Sequence, residues 1–280
     1  DAIGAYFGNP SAHNYGMMTH QRNLFRHIRT RNRFSATSVD QLPHHLVSMW
    51  LYGHMLLMPI ADIDRTDYFL MLGANPLASN GSIWTVPDVR KRIKDLTGRG
   101  GKLVVVDPRR TETAELASEH HFIRPGTDAA LLLALLHVIF RDKLTALGAV
   151  GEFTDGLEEV QTAVASLTPE WAASITGIET FDIERMARDM ATAKAAICYG
   201  RMGVSTQAYG TICQWAIQVI NVVTGNLDKP GGSLFTRPAM DQVLNSSRGG
   251  FGRFASRGRR LPELHYELPA AALADEIRTT

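Results

Sequence analysis

Three apolar runs in this chain end in residues suited to holding a phosphate or a sugar. Asp67–Leu72 ends at Gly73-Ala74-Asn75-Pro76, Leu103–Val106 at Asp107-Pro108-Arg109-Arg110, and Ala195–Tyr199 at Gly200-Arg201-Met202-Gly203. A pyrophosphate needs backbone N–H donors near the start of a helix and no Cβ in its way. The turn from Gly73 to Pro76 supplies both, and the Asn75 side chain is a further donor. Asp107 puts a carboxylate where a strand ends, an acceptor for ribose hydroxyls. Arg109 and Arg110 offer paired donors to a phosphate, with a surface ion pair as the second reading for Arg110. Pro125-Gly126-Thr127-Asp128 precedes an apolar helical stretch, so Thr127 or Asp128 is placed to cap it.

Loops of this kind must be carried by rigid elements. Apolar runs that each lead into a helical period read as parallel strands followed by helices. A fourth run, Ala2–Phe7 before Gly8-Asn9-Pro10, fits the same pattern. Helices are expected over residues 18–29, 46–57, 86–97, 129–141, 157–165, 168–175, 181–193 and 211–224. The alternation predicts an α/β fold: a doubly wound, Rossmann-like, mostly parallel sheet with helices on both faces, in three layers. In such a sheet ligands sit at the carboxyl ends of the strands, where these loops lie. Any one loop alone reads as ordinary turn residues; their convergence carries the nucleotide reading. Residues 246–260, with five arginines and no hydrophobic period, read as an extended loop, and residues 267–277 as one short helix.

Composition removes several alternatives. The 280 residues, 45% hydrophobic and 20% charged, suit one large or two small globular domains. Lys+Arg (29) and Asp+Glu (28) nearly cancel, so no global field draws the chain to nucleic acid or membrane. Arginine and phenylalanine do interleave over Ser247–Arg260, which motivates a nucleic-acid reading that the neutral chain disfavours. The two cysteines, Cys198 and Cys213, form no CxxC or CxxCxxxC run, so no zinc ribbon or iron-sulfur site is expected. They read as core thiols of a reducing, cytoplasmic compartment. No run approaches the roughly 18 apolar residues of a membrane span. The chain opens without a leader pattern and reads as an internal fragment of a longer protein.

Five blocks occur in order: Asp67-Tyr-Phe-Leu-Met-Leu-Gly-Ala-Asn-Pro-Leu-Ala-Ser79, Val104-Val-Val-Asp-Pro-Arg-Arg-Thr-Glu-Thr-Ala114, His121-Phe-Ile-Arg-Pro-Gly-Thr-Asp-Ala-Ala-Leu131, Tyr199-Gly-Arg-Met-Gly-Val-Ser-Thr-Gln207 and Val223-Thr-Gly-Asn-Leu-Asp-Lys-Pro-Gly-Gly232. Together they resemble the molybdopterin oxidoreductases, a family that includes formate dehydrogenases, periplasmic nitrate reductases and dimethyl sulfoxide reductases. The resemblance implies a bis-molybdopterin guanine dinucleotide cofactor carrying molybdenum or tungsten. It implies that Gly73, Asn75, Pro76, Asp107, Arg109, Thr111, Gly126 and Asp128 grip the nucleotide ends. Asp128 would accept from the guanine N1–H and exocyclic amine, leaving Thr127 as the helix cap. Gly200, Met202, Gly203, Thr206 and Gln207 look like contacts to the pterin or phosphates of the second half, with core filler as the other reading of Met202.

The same resemblance puts the metal-ligand segment at Arg33–His44, which has no cysteine. Ser38 or Asp40 would then be an oxygen ligand to molybdenum, the competing reading being a cap on the following helix. His44, beside His45, would relay protons during turnover. The implied layout is residues 1–195 as the α/β cofactor domain, 196–240 as the start of the second cofactor half, and 241–280 as an Arg/Gly-rich loop and tail. The implied activity is two-electron redox or oxo-transfer on a small-molecule substrate. The remaining domains, an electron-transfer subunit and a 4Fe-4S cluster in a preceding segment would complete the enzyme, leaving the fragment inactive alone. The alternative is a metal-free subunit like the large subunit of respiratory complex I.

Overall fold

The computed structural model describes residues 3–8, 14–239 and 241–279. The chain divides into two compact units, Met58–Ala239 and Asp1–Leu57 with Met240–Thr280.

The larger unit is built on a four-stranded parallel sheet. Its strands are β1 (Tyr68–Leu72), β2 (Lys102–Val106), β3 (Glu119–His121) and β4 (Ala196–Gly200), in the order β3-β2-β1-β4. Strand β1 pairs with β2 and β4 over its full length, from Tyr68 opposite Lys102 and Ala196 to Leu72 opposite Val106 and Gly200. The helices are α1 (Pro76–Ser79), α2 (Val89–Gly98), α3 (Glu112–Glu115), α4 (Asp128–Arg141), α5 (Leu157–Val164), α6 (Pro169–Thr176), α7 (Thr180–Thr192), α8 (Met202–Ser205) and α9 (Gly210–Val223).

Side chains alternate across a strand, so one sheet builds two cores. Leu70, Leu72, Val104, Val106, Ala196 and Cys198 join Leu131, Leu135 and Ile139 of α4, Met186 of α7 and Ile217 of α9. Phe69, Met71, Leu103, Val105 and Ile197 join Trp84 with Ile93 and Leu96 of α2. Both faces of β1 are covered, which is why its run is apolar throughout. Each Val, Leu, Ile, Phe or Met among them contributes about 1.5–3 kcal/mol by leaving water.

Among the described residues strand β4 lies at the edge of the sheet, with no strand on its outer side. Side-chain amides from the last turn of α9 and from the turn beyond it fill the place. Asn221 accepts from Cys198 N–H at 2.9 Å and donates to Cys198 O at 2.8 Å, and Asn226 accepts from Ala196 N–H at 3.0 Å. Both asparagines are fully buried, so these bonds replace water that cannot reach them.

In the other unit, the expected strand at Ala2–Phe7 is observed as Ala5–Phe7 and does not join the large sheet. It pairs in parallel with Arg33–Ser35 in a two-stranded sheet of its own. The helix Tyr15–Ile28 is capped by Asn14, whose side chain accepts from Met17 N–H. The helix Leu42–Tyr52 begins earlier than the apolar period suggests, because Pro43 opens it and Gly53, in the left-handed region, closes it.

The stretch 246–260 is not a continuous loop: Phe251–Ala255 forms an antiparallel hairpin with Pro262–Leu264. Glu263, fully buried, fixes that hairpin by accepting from the N–H and Nε of Arg253 and from Tyr266 N–H. Arg257 pairs with Glu276 at 3.3 Å and Arg259 with Asp275 at 3.8 Å, so three of the five arginines in this stretch are neutralised locally. No helix among the described residues is long and apolar enough to cross a membrane.

Candidate functional site

The loops after β1 and β4 meet backbone to backbone. Gly203 N–H donates to Gly73 O at 3.0 Å, Arg201 N–H to Leu72 O at 3.3 Å, and Gly73 N–H to Val106 O at 3.0 Å. A Cβ on Gly203 would fall 2.7 Å from Gly73 Cα, and Gly73 itself has φ +52°. Neither position has room for a side chain, so the rim keeps bare backbone where the strands end.

Asn75 does not present its side chain outward. Its Nδ2 donates to Glu112 Oε2 at 2.7 Å and its Oδ1 accepts from Thr113 Oγ1 at 2.7 Å, tying the β1 loop to α3. Pro76, buried, is the first residue of α1. Thr111 is the N-cap of α3, accepting from Ala114 N–H at 3.1 Å. Arg109 and Arg110 are exposed, and Arg109 lies 3.9 Å from Glu112.

Asp107 turns back on its own loop, accepting from Arg109 N–H at 2.8 Å. Burial raises its pKa, against the opposing pull of that bond and of the Arg109 and His120 charges. Gly126 occupies the left-handed region, with φ +81°. Thr127 stands at the N-cap position of α4 but makes no capping bond; its hydroxyl donates to Arg124 O at 2.7 Å. The expected side-chain cap is therefore absent there.

Asp128, the first residue of α4, is 5% exposed. Burial is the main cause of its raised pKa; the Gln207 bond and its own backbone bond lower it, and the Asp107 charge adds to the rise. Gln207 Nε2 donates to Asp128 Oδ2 at 2.9 Å and to Gly203 O at 2.9 Å. One rim thus links the loops after β1, β2 and β4 with the start of α4. It presents the Asp107 and Asp128 carboxylates beside bare glycine backbone, which suits hydroxyl or N–H donors at one end and phosphate at the other.

Gly200 lies against Val204 and Ile217, each 2.6 Å from where its Cβ would stand, so it serves close strand–helix packing. Met202 is 55% exposed, which removes the core-filler reading. Thr206 is exposed and donates to Met202 O. Two buried polar residues of this rim escaped the sequence reading. Arg201 is 6% exposed, and Gln214, 1% exposed, donates to Ser205 Oγ at 3.0 Å. A charged residue directly after a strand-ending glycine was the available signal for Arg201.

Ser38, Asp40 and His44 belong to the other compact unit. Ser38 and Asp40 do not cap the following helix, whose N-cap position is Gln41. Ser38 lies in a turn of 3-10 helix, Ala36–Val39, and its Oγ accepts from Ala270 N–H at 2.8 Å. Asp40 and His44 are half-buried. The neighbouring His45 is buried, its ring nitrogens bonded to Met55 O at 2.9 Å and the Gln41 amide at 3.0 Å. Among the described residues, no group of three or more His, Cys, Asp or Glu side chains could hold a metal ion.

The family model described as molybdopterin oxidoreductase matches residues 12–263. The chain belongs to the molybdopterin oxidoreductase family. Enzymes of this family use molybdenum or tungsten with a molybdopterin cofactor and carry out redox chemistry. Formate dehydrogenase H of Escherichia coli K12 is 35% identical over 171 residues, covering 61% of this chain and 23% of the relative. A nitrate reductase of Symbiobacterium thermophilum is 30% identical over 223 residues, covering 76% and 29%. Among solved structures, acetylene hydratase from Pelobacter acetylenicus superposes with a TM-score of 0.67 at 25% identity, covering 80% of this chain and 29% of that one. The chain therefore spans about a quarter of the length of the relatives it matches.

Proposed function

We propose that this chain holds the guanosine-diphosphate ends of a bis-molybdopterin guanine dinucleotide in a molybdenum or tungsten oxidoreductase. The observation that carries the reading is Asp128, a buried carboxylate at the start of α4, on the same rim as the Gly73–Gly203 crossing. The residues fit the group. A guanine edge presents two adjacent N–H donors that match the two oxygens of one carboxylate, and bare glycine backbone lets phosphates approach. Asp107 would accept from a ribose, Arg109 would face phosphate, and Asn75 and Thr111 would hold their loops in shape for it. Gly200, Met202, Gly203 and Gln207 would face the second half of the cofactor.

On this reading residues 1–195 form the α/β cofactor domain, 196–240 the start of the second cofactor half and 241–280 a loop and tail, a different division from the compact units. When bound, the cofactor supplies two-electron redox or oxo-transfer chemistry at its metal. Ser38 or Asp40 would be the protein's oxygen ligand and His44 a proton relay. A small-molecule substrate, a 4Fe-4S cluster, an electron-transfer subunit and a cytoplasmic setting belong to the same proposal for the whole protein. The 280 residues alone would bind nucleotide without turnover.

Calorimetric titration with guanosine and adenosine diphosphates tests the reading. Guanosine diphosphate should bind the tighter by about tenfold or more, the worth of a paired base-edge contact. Asp128→Asn should abolish the preference. Equal affinities in the wild-type chain would refute the assignment.

A further inference from the structure

Gln207 reaches the Asp128 carboxylate across 79 residues of sequence, and its amide orientation follows from its neighbours. Its Nε2 hydrogens meet Asp128 Oδ2 and Gly203 O, both acceptors and both at 2.9 Å. A flipped amide would set Oε1 against a carboxylate and a carbonyl, so only one orientation is tenable. In that orientation Oε1 is buried and has no hydrogen-bond partner among the described residues. A buried acceptor without a donor is costly. Gln207 thus satisfies Asp128 and Gly203 at the expense of its own oxygen.

We infer that Gln207 is a latch on the base-recognition carboxylate, its amide N–H standing in for a base N–H until a purine with two adjacent donors displaces it. The inference deepens the guanosine reading of Asp128 and rests on it. A guanine edge must lie against both oxygens of a carboxylate in parallel, and the Asp128 carboxylate is 5% exposed with the Gln207 amide lying against Oδ2 at 2.9 Å. When the side chain swings away, one N–H leaves the carboxylate and two arrive, and Oε1 reaches water or a ligand donor. An adenine edge brings one amine beside a ring nitrogen that is itself an acceptor, so the exchange gains it nothing. Gln207 is then an intramolecular competitor. It keeps a buried carboxylate hydrogen-bonded in the empty site and weakens every ligand that must displace it.

The test uses the 280-residue chain with guanosine diphosphate as the probe. Removing a competitor tightens binding, so Gln207→Leu and Gln207→Ala should each bind guanosine diphosphate about tenfold more tightly than wild type, on the order of one bond to a charged group. Weaker binding in both variants would make Gln207 an ordinary contact and overturn the latch, while the guanosine reading would survive if Asp128→Asn still lost its preference. Unchanged binding in Asp128→Asn, or no guanosine diphosphate affinity in wild type, would overturn the reading and the latch together.

A nucleotide-independent measurement accompanies it. The Asp128 carboxyl, followed by carbon NMR, should titrate higher in Gln207→Leu than in wild type, with Asp107 and Cys213 as the other groups that face it. An identical titration would show that the latch bond is not formed. Adding guanosine diphosphate should also move the Gln207 side-chain amide resonance toward that of a solvated glutamine, and a resonance that stays in place would overturn displacement.

Discussion

Gly73 and Gly203 cross so closely that a Cβ on either would overlap the other's backbone, at 2.7 to 2.8 Å. The contact joins two loops that are 130 residues apart in sequence and adjacent in the sheet. It forces the ends of β1 and β4 to share one surface.

Gly203→Ala should therefore push the loops apart. We expect a loss of about 1–3 kcal/mol, the usual range for overpacking a tight site, read as a lower urea midpoint. Binding of guanosine diphosphate should fall with it. Gly98→Ala is the control: its Cβ would meet nothing within 4 Å at the end of α2, so stability there should hold or rise.

Asp128→Asn should make the empty protein more stable while removing base preference. The sign follows from the raised pKa of Asp128, caused first by burial. The folded protein holds this proton more tightly than the unfolded chain does. Below the usual aspartate value near 3.8 the group costs nothing. As pH rises from there through the folded pKa, wild-type stability falls, and it stays lower at neutral pH. The Tm difference between variant and wild type should grow over that window and then level off, each kcal/mol being worth about 2–4 °C in a domain of this size. A difference that is flat with pH would show that Asp128 titrates normally.

Asn221→Leu keeps the volume and removes the amide. Cys198 N–H and C=O would both lose their partner in a buried setting. At about 1–3 kcal/mol for each of the two orphaned groups, the loss should be about 2–6 kcal/mol. Denaturant unfolding with an unchanged slope would separate this from a change in compactness.

The strands that carry the rim and the helices behind them could be read from the sequence because apolar period and turn residues agree at Leu72–Gly73, Val106–Asp107 and Tyr199–Gly200. Strand pairing was less legible. Ala5–Phe7 is as apolar as a core strand, but a run of apolar residues does not name its partner, and Arg33–Ser35 took it. The hairpin at Phe251–Ala255 was hidden because the residue that fixes it, Glu263, is acidic and buried, against the usual pattern.

The loops of the site were visible, and the bonds inside them were not. Asn75 with Thr113, and Gln207 with Asp128, are pairings that only the folded chain creates. The same holds for Thr127, which a local rule makes a cap and which instead donates to Arg124 O.

The asparagines along β4 have a consequence for how this sheet behaves in a crowded solution. An open strand edge invites a strand from another molecule, and proteins commonly deter it with lysines, prolines or bulges. Here two side-chain amides already occupy bonds an incoming strand would need, at Ala196 and Cys198. That side of the sheet is closed to templated growth, and self-association through it would first require α9 and the turn beyond it to peel away.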